Sequence, residues 1–256
     1  MKKINKTKIA FAASRELACS LIRWIKENEK IYNIEIVGGV CVNFTNWWGD
    51  NVSQIYKKYE IKEYSSIEEL VAVTKPDMLF SFNYWKIISE NILSNIPKGV
   101  INIHHSYKLR FRGRHSTSWA IIHAREDDYW WHGTSIHYVN SNLDDGEIIL
   151  SEKIPISKRD TAESLFKKVE CKAIKIFKKN FSYIVHESEK KIIKPDKINY
   201  FYSADSKNQI ELKSSCSKEH ISDIIRAWTY KGRPMPNVLY NGNRVSLEKL
   251  KNKLGL

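Results

Sequence analysis

Residues 100–116 read VINIHHSYKLRFRGRHS, and their interpretation decides how the rest of the chain folds. In a strand, residues two apart share a face, so Asn102 and His104 project together while Ile101 and Ile103 point the other way. Behind the apolar start come His105, His115 and three arginines, although the 256-residue chain has only eight histidines. Three chemistries compete for this pattern: a metal site, a nucleic-acid-binding loop, or acid–base chemistry at the end of a strand.

Working outward, strands alternate with helices. KIAFAA (8–13) reads as a buried strand, followed by a helix from Arg15 to Asn28 with Leu17, Leu21, Ile22 and Ile25 on one stripe. IEIVGGVCV (34–42) is a second strand, and SIEELVAVTKPDMLFSF gives a helix, a Lys-Pro-Asp turn and a strand at Met78–Phe82. A short helix ends at Pro97, and the stretch quoted above supplies the next strand. A helix from Ser116 to about Arg125 precedes two strands, GTSIHYV and EIILSEKIPI, joined by NSNLDDG. Asp160, with Glu163 as capping-box partner, is expected to cap a long helix reaching about residue 181. Leu165, Val169, Ala173 and Phe177 form its buried stripe. Such alternation, with apolar strands, predicts an α/β fold with a Rossmann-like, mostly parallel sheet covered on both faces. From about 186 the pattern changes to short polar and aromatic pieces, which divides the chain into 1–185 and a small C-terminal α+β subdomain, 186–256.

Composition bounds the function. With 42 Lys+Arg against 29 Asp+Glu, the formal charge of +13 implies affinity for anions, or a lysine-rich habit spread over solvated faces. Cys19, Cys41, Cys171 and Cys216 form no Cys-x-x-Cys pair, as expected of reduced thiols in the cytoplasm. The first twenty residues carry too short an apolar stretch for a secretory leader, and no apolar run is long enough to span a membrane. The first strand lacks Gly-x-Gly-x-x-Gly, so a dinucleotide is not indicated.

An amide donor beside an imidazole, at the carboxyl end of a parallel strand, suits oxyanion stabilisation and proton handling. Asn102 and His104 are that pair, although a histidine there also serves as a structural hydrogen bonder. Asp144 and Asp145, before Gly146, read either as a hairpin turn or as an acid that orients the histidine. His115, His123, His132 and His137 lack the Cys or paired-His spacing of a zinc site, so no metal is expected. Ser14 and Arg15 open the first helix, either as an ordinary cap or as a place for anionic groups at its N-terminus.

Together these segments resemble the formyltransferase family that uses N10-formyltetrahydrofolate. Its pattern runs Asn-x-His, then Ser-Leu-Leu-Pro-x-Tyr-Arg-Gly, then Gly-Thr-(Ser)-x-His, then (Leu/Val)-Asp-x-Gly-x-Ile. The matching residues here are Asn102–His104, Ser106–Gly113, Gly133–His137 and Leu143–Ile148. His105 stands where the family often has proline, and Tyr107, Lys108 and Leu109 replace Leu-Leu-Pro, so the donor-side loop is expected to differ in shape.

The resemblance implies a catalytic trio of Asn102, His104 and Asp144, with Asp144 chosen over Asp145 because it lies two before the glycine. It places the folate between Tyr84, Trp85, Lys86 and Ile88 on one side and Val139, Asn142 and Leu143 on the other. Ser14, Arg15, Ser106 and Arg112 are expected near the substrate, and Trp228 and Tyr230 either stack on a base or pack the small subdomain. The branch of the family that formylates nucleotide-linked amino sugars is the one that RGRHSTSWAI (112–121) and the tail at 224–247 resemble. The implied reaction formylates a dTDP-linked amino sugar, dTDP-4-amino-4,6-dideoxyglucose, for surface polysaccharide such as O-antigen, in a cytoplasmic homodimer. Residues 186–256 look too short for the C-terminal barrel of a methionyl-tRNA formyltransferase, the main alternative. The other rival is a nucleic-acid-binding protein built on KLRFRGR (108–114).

Overall fold

Every residue of the apolar run at 9–13 is buried, and this strand lies inside the central sheet. The computed structural model describes residues 5–42 and 51–255; the start of the chain, read above as lacking a leader, lies partly outside them at residues 1–4. The order opens β1 (Thr7–Ala13), α1 (Arg15–Glu27), β2 (Ile34–Cys41), α2 (Val52–Lys58), α3 (Ile67–Thr74) and β3 (Met78–Phe82). It continues α4 (Glu90–Ser94), β4 (Val100–His104), β5 (Phe111–Gly113), α5 (Ser116–Glu126), β6 (Trp131–Tyr138), β7 (Ile148–Pro155), α6 (Ala162–Lys179) and α7 (Phe181–His186). It closes β8 (Tyr200–Tyr202), β9 (Glu211–Leu212), α8 (Lys218–Ala227), β10 (Asn237–Tyr240), β11 (Asn243–Ser246) and α9 (Leu247–Leu254).

The six-stranded sheet has the order β2-β1-β3-β4-β6-β7, and the pairs β1–β2, β1–β3 and β3–β4 are parallel. In this register Ala13 faces Phe82 and Ser81 faces Asn102, so β1, β3 and β4 finish along one carboxyl edge. The expected stripe of α1 is buried, and so are Leu165, Val169, Ala173 and Phe177 of α6. Phe11, Phe80, Phe82, Phe177 and Phe181 form an aromatic cluster against this sheet, with ring centroids 5.3–6.5 Å apart.

The cap of α6 differs from the expectation. Thr161 Oγ1 accepts the Ser164 amide at 3.2 Å, while Ser164 Oγ accepts the Thr161 amide at 3.0 Å. This reciprocal pair does the job assigned to Asp160 and Glu163. Asp160 instead accepts from the Ser157 amide at 2.8 Å and pairs with Lys168 at 2.7 Å, and Glu163 accepts the Lys231 amide at 2.9 Å.

Contacts divide the chain into two compact units that do not follow the boundary at 186. One comprises 1–104, 136–150 and 174–194; the other comprises 105–135, 151–173 and 195–256. A change in composition marks where the pattern of the chain alters, and it carries no information about which distant segments pack together. The first unit holds the carboxyl edge of the sheet. The second has its own core, in which Phe111, Trp119, Leu165, Ile224 and Trp228 are buried together.

Arg110, from the KLRFRGR run, is buried in that second unit. Its guanidinium lies 2.7 Å from Asp127 and 3.0 Å from Asp196, and Tyr129 faces it at 4.4 Å. A charge spent this way on two carboxylates and an aromatic ring is unavailable to phosphates. Breaking such a pair strands buried charge, which costs ~3–5 kcal/mol. Arg110→Met should therefore lower the unfolding free energy by about that amount in denaturant titrations. A loss below about 1 kcal/mol would show that the pair is not structural.

Candidate functional site

At the end of β4 the alternation is realised in space: Ile101 and Ile103 are buried beneath the sheet, while Asn102 and His104 are half-buried on the other face. The loop between β6 and β7 brings Asp144 to them. Its Oδ2 lies 3.5 Å from His104 Nδ1, and its Oδ1 accepts from Asn102 Nδ2 at 3.5 Å. Asp145 is exposed and lies 3.4 Å from Asn142 within the loop. The structure thus gathers Asn102, His104 and Asp144 in one unit, with Asp145 outside the cluster.

Backbone conformation sets this placement. Asp144 has φ +48°, a left-handed conformation that aspartate tolerates better than most residues. Two residues later, a Cβ on Gly146 would collide with the carbonyl oxygen of Tyr138, which explains the glycine. Arg15 (φ +70°) and Asn83 (φ +54°) also take left-handed conformations, at the ends of β1 and β3. Strained residues of this kind gather at functional sites.

A fourth member, His137 on β6, was quoted above only as part of a motif and as lacking zinc-site spacing. Its ring is buried; Nδ1 donates to the Tyr138 carbonyl at 2.8 Å, and Nε2 lies 3.1 Å from Asn102 Nδ2 and 3.9 Å from Asp144 Oδ1. The rings of His104 and His137 meet edge to face, with centroids 6.5 Å apart. Burial pushes the pKa of His137 down to about 4; Asp144 opposes this and His104 adds to it. The signal that could have found it is the period of β6, which turns His137 to the side of the sheet that carries Asn102.

In the same unit, Tyr84, Lys86 and Ile88 line a cleft of about 220 Å3 together with Cys41, Ile67 and Ile92. Burial, and then Glu68 and Cys41, raises the Tyr84 hydroxyl above its usual pKa, so it remains a donor. Val139 packs with Tyr84 against one apolar cluster, whereas Trp85, Asn142 and Leu143 are exposed. Ser14 holds the N-cap position of α1 without capping it; its hydroxyl donates to the Asn83 carbonyl, and its amide donates to Phe82 O at 2.9 Å.

The remaining expected substrate residues belong to the second unit. Ser106 is fully buried, and its Oγ accepts the Phe111 amide at 2.7 Å, which holds the loop after β4. Trp228 is buried against His115 and Trp119, so packing is its observed role. Tyr230 is covered by the Arg233 guanidinium at 3.7 Å, and Arg112 is half-buried on β5. Among the described residues no group of His, Cys, Asp and Glu has the makings of a metal site, and no helix is long and apolar enough to cross a membrane.

The fold keeps His137 neutral while the unfolded chain protonates it near its ordinary 6.5. As pH falls, the unfolded state takes up this proton first. The contribution of His137 is therefore intact above about pH 6.5 and lost as pH falls through about 4. A shift of this size corresponds to roughly 3 kcal/mol. Denaturant midpoints measured across that range should show a shallower acid decline in His137→Phe than in the unaltered protein; parallel declines would refute the assignment.

Residues 51–180, which contain the whole cluster, match the family model described as formyl transferase. The bifunctional polymyxin resistance protein ArnA of Wigglesworthia glossinidia brevipalpis is 32% identical over 164 residues, 63% of this chain and 24% of that protein. GDP-perosamine N-formyltransferase of Brucella melitensis biotype 1 is 37% identical over 91 residues, 36% of this chain and 34% of that one. The chain thus spans only about a quarter to a third of the length of these two relatives. Among solved structures, WlaRD, a sugar 3N-formyl transferase in the presence of dTDP and 5-N-formyl-THF, superposes with a TM-score of 0.73 at 21% identity. That superposition covers 94% of this chain and 85% of WlaRD, and it shows a shared fold. With the family model matched over half its length, the chain belongs to the formyl transferase family.

Proposed function

We propose that this chain is a sugar N-formyltransferase, which moves a formyl group from N10-formyltetrahydrofolate to the amine of a nucleotide-linked amino sugar. The observation that carries the reading is the meeting of Asn102, His104 and Asp144 at the carboxyl edge of the sheet. When a neutral amine adds to the formyl carbon, charge gathers on the carbonyl oxygen and the nitrogen sheds a proton; the tetrahedral intermediate then collapses by breaking the bond from that carbon to N10, which takes up a proton and leaves as tetrahydrofolate. Asn102 Nδ2 and the His104 imidazole donate to that oxygen, a stabilisation of ~3–4 kcal/mol per donor. Asp144 faces His104 Nδ1 at 3.5 Å, where its charge favours the protonated ring, and accepts the proton of the amine, directly or through water.

The donor's ring system suits the cleft beside Tyr84, Lys86 and Ile88. Isoleucine side chains flank it, and the Tyr84 hydroxyl and the Lys86 ammonium offer polar anchors. At about 220 Å3 it falls below the ~300–1000 Å3 of pockets that take a whole ligand, so the tail of the donor would extend outward past Trp85. On the acceptor side, Ser14 and Arg15 would help hold the phosphates at the start of α1, where no side-chain cap fills the helix end.

The finer reading takes dTDP-4-amino-4,6-dideoxyglucose as acceptor, for surface polysaccharide, in a cytoplasmic homodimer. The likeness of 112–121 and 224–247 to the sugar branch supports it. The named relatives differ among themselves, since one is a GDP-perosamine enzyme and the other a 3N-formyl transferase solved with dTDP.

The test is to incubate the protein with N10-formyltetrahydrofolate and a panel of dTDP- and GDP-linked amino sugars and to weigh the products. The expected product is the dTDP sugar heavier by one formyl group; formylation of a GDP sugar alone would overturn the finer reading, and no product from any sugar would overturn both. In the same assay Asn102→Ala should lower kcat by ~10²–10³-fold, the usual loss for one oxyanion donor. Asp144→Asn should be severe and Asp145→Asn mild. The reverse order, in protein shown to be folded, would move the proton acceptor to Asp145.

A further inference from the structure

Asn102 can stabilise an oxyanion only with the NH2 edge of its amide, and an amide turned by half a rotation would present a carbonyl to the growing negative charge. Something must fix that choice. Asp144 Oδ1 is a weak candidate, because it stands 3.5 Å from Nδ2. His137 Nε2 is closer, at 3.1 Å, and its own state is determined by the backbone.

The determination runs in one direction. His137 Nδ1 lies 2.8 Å from the Tyr138 carbonyl oxygen, which can only accept, so Nδ1 carries the proton. In the neutral ring Nε2 is then a lone pair, and the only part of an amide that satisfies a lone pair is N–H. We propose that His137 is a positioning residue, whose buried Nε2 lone pair holds the NH2 edge of Asn102 toward the reacting carbonyl. One N–H of the amide is committed to His137; the second, which meets Asp144 Oδ1 only at 3.5 Å, turns to the oxyanion.

Burial supports the neutral ring by keeping His137 down to about 4. Asp144, 3.9 Å from Nε2, and His104 face the ring as well. A protonated His137 would present a donor, pair with Asp144 and release the amide. The anchor of the chain of contacts is the Tyr138 carbonyl, the same oxygen that Gly146 approaches too closely to carry a side chain.

This role rests on the proposed formyl transfer, so its test separates the two. His137→Phe keeps the size of the ring and removes the lone pair, whereas His137→Gln restores an acceptor. His137→Phe should lower kcat by ~10²-fold, comparable to losing the donor itself, with the KM of both substrates changed by less than about threefold. His137→Gln should recover most of that loss. In an Asn102→Ala background, His137→Phe should cost nothing further, because residues acting through one contact do not add. Full additivity, or an undiminished kcat in folded His137→Phe, would overturn the role. Nitrogen NMR of the unaltered protein gives a readout that needs no turnover: a proton on Nε2 rather than Nδ1 overturns the positioning role. A protein with the expected tautomer that formylates no sugar overturns the proposed reaction instead.

Discussion

The period of two along β4 governs the site. Ile101 and Ile103 are driven into the core because each gains about 2 kcal/mol or more by leaving water, and this fixes the rotation of the strand. Asn102 and His104 then face the other way with no freedom to choose. A slip of one residue would bury the polar pair and expose the apolar one, so the geometry of the chemistry is secured by residues that take no part in it. The neighbouring strand adds to this, since the pairing of Ser81 with Asn102 sets how far β4 projects at the sheet edge.

The two units treat buried polarity in opposite ways. In one, Arg110 enters the interior as a cation and is met by Asp127 and Asp196, with Tyr200 donating to Asp127 at 3.0 Å. There, charge is compensated by charge. In the other, His137 is kept uncharged, and neutral hydrogen bonds arrange the groups around it. The first solution stabilises a loop; the second, under the reaction proposed, keeps donors aimed where a new charge would appear, and an adjacent permanent cation would weaken that aim by drawing Asp144 to itself.

Much of this was written locally in the chain. The run Met78–Phe82 forms the strand expected of it, and the stripe of α1 is buried as its spacing requires. That Asn102 and His104 share a face was readable because a strand's period is fixed, whereas Asp144 was singled out by the resemblance, whose aspartate lies two before the glycine. The pairing of Arg110 was not readable, because its partners lie 17 and 86 positions away and only folding brings them near. The short pairings of β5 with β8 and of β9 with β10 were likewise invisible, since strands of two or three residues carry too little pattern. The roles of Ser106 and Trp228 were left open for a related reason: a hydroxyl or an indole looks the same in a sequence whether it meets a ligand or its own core.

The close approach of Gly146 to the Tyr138 carbonyl makes the span from Asp144 to Gly146 a ruler of fixed length. Upstream, residues 140–143 are exposed and bound to no such measure. Insertions and deletions in this hairpin should therefore accumulate before Asp144 and never after it. The loop can lengthen, shorten or change composition as its surroundings demand while the carboxylate stays where it is, so that one side of the turn is open to evolutionary experiment and the other is closed.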